Sequence, residues 1–321
     1  MRRAPRRQRG AALLLAMLIL TLVATLAAGM AWQQTRAVQI EAAERGAVQA
    51  GWILDASLDW ARLILREDAR TGSIDHLGEP WATPLAEARL SSFLAADRDN
   101  TDAAAPEAFI SGAISDAQAK YNLRNVVDSE GKISPQELKA LQRLCEAAGT
   151  PTDTASRLAQ GLAAAWAARS GTEAADAPLA PSRPADLAWL GLDAATVARL
   201  QPYVTLLPTP TPVNANTAPR EVLVAAIDGL DLGSAERLVQ TRQRSPFDSL
   251  AAVQALLPQG ARADDESRIS VRSSFFEVRG RLRLDERIVE EESLVERRGA
   301  DRGRDVVTLR RERRPLHIGT Q

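Results

Sequence analysis

Acidic residues around Gly131 have the spacing of a calcium-binding loop. We place Gly131 in the sixth position of an EF-hand loop, where the chain must turn sharply. Asp128 is then third, Glu130 fifth and Glu137 twelfth. Calcium takes roughly six to eight oxygen ligands, but the first position is Val126, whose side chain has no oxygen. The spacing therefore leaves two interpretations, a calcium site or a structural turn.

The structural interpretation is a turn followed by a capped helix. Ser134 has the type of an N-cap, Pro135 suits the first helical position, and Glu137 stands three residues after the cap. The apolar residues that follow predict the buried face of this helix: Leu138, Leu141, Leu144 and Cys145.

Residues for catalysis are missing from the sequence. His76 and His317 lie far apart without neighbouring ligands, and Cys145 is the single cysteine, so neither a zinc site nor an intramolecular disulfide is predicted. No Ser/His/Asp arrangement and no phosphate loop is present, so a membrane-bound hydrolase has no motif and we predict no enzyme. The net charge of −1 argues against a general nucleic-acid binder.

The N-terminus predicts a membrane anchor. An arginine cluster (Arg2, Arg3, Arg6, Arg7 and Arg9) precedes an uncharged run from Gly10 to Thr35. A helix of that length spans about 39 Å at about 1.5 Å per residue, more than the roughly 30 Å of a bilayer core. The arginines hold the N-terminus in the cytoplasm and send the following residues across.

The segment RQRGAALLLAMLILTLVA resembles the leader junction of type IV pilins and type II secretion pseudopilins. The resemblance implies that prepilin peptidase cleaves after Gly10 and that Ala11 becomes the N-methylated N-terminus. The fifth mature residue of that family is nearly always glutamate, but here it is Leu15, a departure typical of the minor pseudopilin K. The alternative is an ordinary signal anchor.

The membrane-spanning helix is expected to continue past the membrane to about Arg70 as one long spine helix, because apolar residues recur at helical spacing along one stripe. Its members are Ala47, Gly51, Leu54, Leu58, Ala61 and Leu65.

A short helix is predicted from Pro84 to Leu94, and a strand near Ile110. After residue 263, alternation of apolar and charged residues predicts antiparallel strands, with acidic and arginine-rich stretches as neighbours. A lipid-headgroup patch is the alternative for the basic tail.

The region between these strands is predicted to be helical, with amphipathic segments at Thr152 to Ala168 and Arg183 to Leu200. Residues 212–258 resemble a helix-hairpin-helix unit with helices at Thr217 to Ile227 and Ser234 to Arg242. Its hairpin carries Asp228 and Asp231, which would repel a phosphate. We therefore favour a helical scaffold over the alternative, a membrane-anchored DNA-binding protein of the competence type.

Two further motifs are similar to those of pseudopilin K. One follows the pattern D-x-Q-x-x-x-N-L-N and is matched by Asp116, Gln118, Asn122, Leu123 and Asn125, with arginine at position 124. The other is the N-x-N-T-A stretch from Asn214 to Ala218. Many family members also have a tryptophan flanked by aspartates that is associated with calcium. Here Trp166 is flanked by alanines, although Glu173 and Asp176 remain nearby.

The expected fold class is α+β, a long N-terminal helix packed on an antiparallel sheet with a large inserted all-α domain. The expected parts are a leader at 1–10, a spine helix at 11–70, first strands at 71–125, the inserted domain at 126–263 and C-terminal strands at 264–321. The resemblance implies a structural protein at the tip of the type II secretion pseudopilus, anchored in the inner membrane with its globular part in the periplasm. Its implied partners are minor pseudopilins I and J, other pseudopilins and prepilin peptidase, without nucleic acid, and calcium is the one cofactor considered.

Overall fold

The computed structural model describes residues 9–90, 108–169, 178–263, 265–284, 287–298 and 305–317. The chain divides into two compact units, Met1–Asp55 and Ala56–Gln321. Helix α1 (Arg9–Thr71) forms the described part of the first unit and continues into the second. Across the described ranges, α1 is the single helix long and apolar enough to cross a bilayer. Its large apolar side chains from Leu13 to Leu26 are exposed, as lipid-facing side chains would be.

The predicted stripe on α1 is buried from Gly51 to Leu65, whereas Ala47 is exposed. In the second unit, Leu58, Ala61 and Leu65 form a core with residues of the sheet and its connection, which are Trp81, Phe276, Val278, Val295 and Val306. The rings of Trp81 and Phe276 meet edge to face, with centroids 5.2 Å apart. Burial of this apolar surface is what attaches the end of α1 to the sheet.

Five strands form one antiparallel sheet. In chain order, the strands of the molecule are β1 (Leu85–Arg89), β2 (Ala108–Asp116), β3 (Tyr121–Asn122), β4 (Val204–Thr205), β5 (Val213–Asn214), β6 (Ile269–Ser270), β7 (Phe275–Leu284), β8 (Arg287–Arg297) and β9 (Val306–His317). The large sheet has the order β1-β2-β7-β8-β9. The expected α+β fold class, with strands on both sides of a helical region, is confirmed.

The predicted helix from Pro84 to Leu94 is wrong where the structure describes it. Residues 85–89 form edge strand β1, which pairs antiparallel with β2 so that Ala88 lies opposite Ile110. Alanine, leucine and glutamate favour a helix locally, but pairing with a neighbouring strand outweighs this weak preference. Residues 91–94 lie outside the described part of the chain.

Opposite charges set the register of β8 and β9, as the sequence predicts. Glu290 lies opposite Arg314, and Glu291 lies opposite Arg313. The Glu291 side chain is only 3% exposed and pairs with Arg313 at 2.6 Å and Arg311 at 3.3 Å. A one-residue slip would separate these pairs and move every side chain to the other face of the sheet.

Between β2 and β7 the chain is mostly helical. The helices are α2 (Pro135–Ala147), α3 (Thr154–Arg169), α4 (Ala194–Leu200), α5 (Arg220–Ala226), α6 (Leu232–Arg244) and α7 (Leu250–Gln254). Ser134 caps α2 as predicted, and Cys145 is buried in its face. The region is not purely α-helical, however, because β3 pairs with β4 and β5 pairs with β6, both in parallel.

The single helix predicted from Arg183 to Leu200 is two elements. A 3-10 turn covers Pro184–Leu190 and ends at Gly191, whose φ of 81° lies in the left-handed region. Asp193 then caps α4 by accepting a hydrogen bond from the backbone N–H of Thr196. Gly191 and the new cap interrupt what the apolar periodicity alone would join.

Candidate functional site

The loop with the predicted calcium ligands is a hairpin turn. Oδ1 of Asp128 accepts hydrogen bonds from the backbone N–H groups of Glu130 and Lys132, both at 2.9 Å. The exposed Glu130 carboxylate pairs with Nζ of Lys132 at 2.8 Å. A β-bridge between Val127 and Ile133 closes the loop. Both carboxylates therefore stabilise the turn itself.

Glu137, the third predicted ligand, has different partners. Its Oε1 pairs with Nε of Arg268 at 2.9 Å, and its Oε2 accepts a hydrogen bond from the hydroxyl of Tyr121 at 2.7 Å. Burial, followed by the charge of Glu137, raises the pKa of Tyr121 well above its ordinary value.

The structure does not gather the predicted calcium ligands of this loop around one point. Among the residues that the structure describes, Asp128, Glu130 and Glu137 do not bring their oxygens together as a group that could hold a metal. Glu173 and Asp176, the other predicted ligands, lie outside the described residues. A calcium site through those two residues stays a prediction.

The predicted cleavage site lies at the beginning of α1. Gly10 and Ala11 are helical, and Leu15 is 61% exposed on the same helix. Most of the arginine-rich leader precedes the described residues. Cleavage after Gly10 and methylation of Ala11 therefore remain predictions.

Asp116, at the end of β2, is the centre of a buried polar network that joins the sheet to the helical region. Its Oδ2 accepts hydrogen bonds from Thr217 Oγ1 at 2.6 Å, Ser273 Oγ at 2.6 Å and Asn214 Nδ2 at 3.0 Å. Its Oδ1 accepts one from the backbone N–H of Gln118 at 2.7 Å. Burial raises the pKa of Asp116 to about 6, while the hydrogen bonds from Ser273 and Thr217 oppose that shift.

The N-x-N-T-A stretch supplies the helical side of this network. Nδ2 of Asn214 also donates to the backbone carbonyl of Asp75 at 3.1 Å. Asn216 binds both backbone groups of Phe247: its Nδ2 donates to the carbonyl at 2.9 Å, and its Oδ1 accepts from the N–H at 2.8 Å. The second asparagine thus holds the segment after α6 against the segment before α5.

The other motif residues bind backbone groups in the same way. Gln118 donates to the carbonyl of Pro212 at 3.0 Å and accepts from the N–H of Ser274 at 2.6 Å. Asn125 forms a matching pair with Thr211, at 2.9 and 3.0 Å. Asn122 donates to the carbonyl of Thr209 at 2.8 Å. A buried backbone group without a hydrogen-bond partner costs free energy. These side chains therefore supply the hydrogen bonds that a neighbouring strand would otherwise make.

A buried ion-pair cluster extends the network to the end of α1. Arg297 pairs through Nη1 with Asp68 at 2.8 Å and through Nη2 with Asp75 at 2.5 Å. Asp75 Oδ2 also accepts from the N–H of Ser273 at 2.8 Å. Asp68, Asp75 and Glu79 have carboxylate oxygens within 4.8 Å of one another. Arg297 offsets part of this negative charge, while Glu79 accepts hydrogen bonds from the His76 N–H and the Trp81 indole.

The turn before α6 has carboxylates where a nucleic-acid-binding hairpin would offer free N–H groups. Asp231 caps α6 by accepting from the backbone N–H of Ser234 at 2.9 Å. Asp228 pairs with Arg143 at 2.5 Å and with Arg268 at 3.2 Å. Burial raises the pKa of Asp228, but these two arginines outweigh it and lower the pKa overall. The helix-hairpin-helix resemblance itself stays a prediction.

Sequence reasoning identified Asp116 and Asn214 through their motifs but missed their partners Ser273 and Asp75, and it missed Arg297, which pairs with Asp75. Asp75 and Arg297 have no local signal, because they meet their partners through the fold. The one usable hint was that polar residues interrupt the alternating pattern just before β7, at Arg272 to Ser274.

Comparisons with known proteins agree over most of the chain. Two family models, both described as type II secretion system (T2SS) protein K, match residues 119–209 and 213–272. The type II secretion system protein K of Pseudomonas aeruginosa is 28% identical in an alignment of 304 residues that covers 88% of this chain and 86% of that protein. The protein of the same name from Klebsiella pneumoniae is 31% identical in an alignment of 272 residues that covers 77% of this chain and 78% of that protein.

A solved structure has the same fold. It is titled as the GspK-GspI-GspJ complex of the type 2 secretion system from enterotoxigenic Escherichia coli. One of its chains aligns with a TM-score of 0.63 at 21% identity, covering 84% of this chain and 98% of that chain. The motifs of the polar network lie in or beside the ranges that the family models match. Fold, motifs and relatives agree, and the chain belongs to the type II secretion system protein K family.

Proposed function

We propose that this chain is the tip subunit of a type II secretion pseudopilus, where it supports the export of folded proteins from the periplasm. The observation that carries the proposal is a pilin-like helix and sheet with a large helical region between β2 and β7. Such a bulky region would be hard to repeat in a tightly packed helical filament. A subunit at the end of the filament has free space around it.

Leu15 supports an end position. In pilin-like filaments the fifth mature residue is usually a glutamate that meets the terminal amine of a neighbouring subunit. A tip subunit has no neighbour above it, and an unpaired carboxylate in the bilayer core costs roughly 2.5 to 3.5 kcal/mol. An apolar residue at position 15 avoids that cost.

The proposed location is the inner membrane, with α1 as a single-pass anchor and residues after it in the periplasm. Prepilin peptidase would remove residues 1–10 and leave a methylated Ala11. The proposed partners are minor pseudopilins I and J, because the similar solved structure is titled as a complex of the corresponding proteins.

The test is to express the full chain with its host's prepilin peptidase and sibling minor subunits, then purify it through a C-terminal tag. Mass spectrometry should find methylated Ala11 as the N-terminus, and subunits I and J should co-purify. An intact arginine leader in the presence of the peptidase would argue against the pseudopilin assignment. A processed chain that never recovers I or J would argue against the tip complex.

A further inference from the structure

A cleft separates the helical region from the outer face of the sheet. Its volume is about 810 Å³, and Arg124, Trp166, Leu207, Leu294, Leu309 and Arg310 are among the lining residues. Leu207 comes from the segment after β4, whereas Leu294 and Leu309 come from β8 and β9. Cavities of roughly 300 to 1,000 Å³ are typical of ligand sites.

Arg124 lies in this cleft with unused hydrogen-bonding capacity. Its guanidinium stacks on the ring of Trp166, 4.4 Å from the centroid. Its Nη1 is buried and has no hydrogen-bond partner in the described chain. A buried donor without an acceptor costs roughly 1 to 3 kcal/mol, and more when it is charged. The stacked ring fixes the plane of the guanidinium, which suits recognition of a planar carboxylate.

The charge around the cleft is positive. Arg310 is the second arginine in the lining, and one of its nitrogens donates to the carbonyl of Ser182. No carboxylate is among the lining residues in the ranges that the structure describes. The nearby acids already have partners, because Glu312 and Asp186 both pair with Arg183.

The leucines indicate what kind of anion fits. An inorganic ion would use the arginines but leave the apolar walls and most of the volume unfilled. A carboxylate carried between apolar side chains would use both. Trp166 and the leucines would bury the side chains while Arg124 and Arg310 bind the acid.

We propose that the cleft is a docking site for a segment of a partner protein that carries a carboxylate between leucine-like apolar side chains. The carboxylate binds the Arg124 guanidinium, which is stacked on Trp166. The proposal goes beyond the pseudopilus role and is tested on the isolated full chain. A negative result would therefore leave the assembly experiment above unaffected.

The experiment is isothermal titration of the full chain in detergent, with EGTA present, using the peptides acetyl-Leu-Asp-Leu-amide and acetyl-Leu-Asn-Leu-amide. The aspartate peptide should bind about tenfold more tightly than the asparagine peptide, because it gains a charge-assisted bond to Arg124. That preference should be lost in Arg124→Gln and reduced in Arg310→Gln. The matched control is Arg244→Gln, an exposed arginine on α6, which should keep the preference.

Several results would overturn the proposal. Equal binding of both peptides, or an unchanged preference in Arg124→Gln, would show that Arg124 does not bind the peptide carboxylate. Equally tight binding of hexanoate would show a site for free carboxylic acids. If Arg124→Gln does not fold, Arg310→Gln tests the positive charge of the cleft without altering Arg124, and an unchanged preference in that variant would also overturn the proposal.

Discussion

Thr217 donates a hydrogen bond of 2.6 Å to Oδ2 of Asp116, and this contact joins the end of β2 to the residues that precede α5. Both side chains are buried, at 6% and 4% exposure. The helical region is therefore connected to the sheet by specific polar contacts as well as by apolar packing. Polar contacts fix geometry more narrowly than apolar ones, because a hydrogen bond forms only within a limited range of distance and angle.

Asp116 should make stability depend on pH. Its pKa in the folded chain is about 6, above the ordinary value of 3.8, so the folded chain holds this proton more tightly than the unfolded chain. Raising the pH from about 4 to 6 should therefore lower the free energy of unfolding, by up to about 3 kcal/mol at about 1.4 kcal/mol per pH unit. Urea unfolding of wild type and Asp116→Asn across this range measures the effect.

The asparagine variant cannot titrate at this position, so the difference between it and wild type should change with pH in that window. Asp248→Asn, at an exposed acid, is the matched control and should follow wild type. A constant difference between Asp116→Asn and wild type from pH 4 to 7 would contradict the predicted shift.

Arg297→Met should strongly destabilise the protein, by about 3 to 5 kcal/mol, because it leaves Asp68 and Asp75 as buried carboxylates without their cation. The adjacent Arg298 provides a close control, since among the described residues its ion pair is with Glu296, and its side chain is 55% exposed. Arg298→Met should cost at most about 1 kcal/mol. Thermal or urea unfolding of both variants makes the comparison. Equal losses of stability would show that the buried cluster contributes no more than the exposed ion pair of Arg298.

Asp128→Ala should weaken the turn before α2 by about 1 to 2 kcal/mol, because two backbone N–H groups lose their acceptor. The structural role predicts the same loss in calcium and in EGTA. Melting temperatures in both buffers test this, with Glu130→Ala as a control that loses only an exposed ion pair. A loss much larger in calcium than in EGTA would restore the calcium interpretation of this loop.

Leu15→Glu should leave leader cleavage intact, because the proposed cleavage lies between Gly10 and Ala11, before the changed position. The mass of the mature N-terminus in cells with prepilin peptidase measures the result. Gly10→Val, which changes the cleavage position itself, should retain the leader and serves as the comparison. Loss of cleavage in Leu15→Glu would mean that the junction lies elsewhere.

Local sequence patterns determined much of the secondary structure of this protein. The apolar run after Gly10 predicted a long helix, Ser134 and Pro135 determined where α2 begins, and alternation of apolar with charged residues predicted the strands after residue 263. These predictions succeeded because each depends on residues close together in the chain, through hydrogen bonds to adjacent turns or through side-chain periodicity. The motifs also marked Asp116 and Asn214 without revealing what they do.

Only the tertiary structure decided the roles of those residues. Asp116 meets Asn214 and Ser273 across 98 and 157 residues of sequence, and Asp75 meets Arg297 across 222. Glu137 has the position of a calcium ligand, yet the fold supplies Arg268 and Tyr121 as its partners. Residues 85–89 became a strand because β2 was available to pair with them. A polar side chain binds whichever group the folded chain brings within about 3 Å, and no local pattern specifies that neighbour.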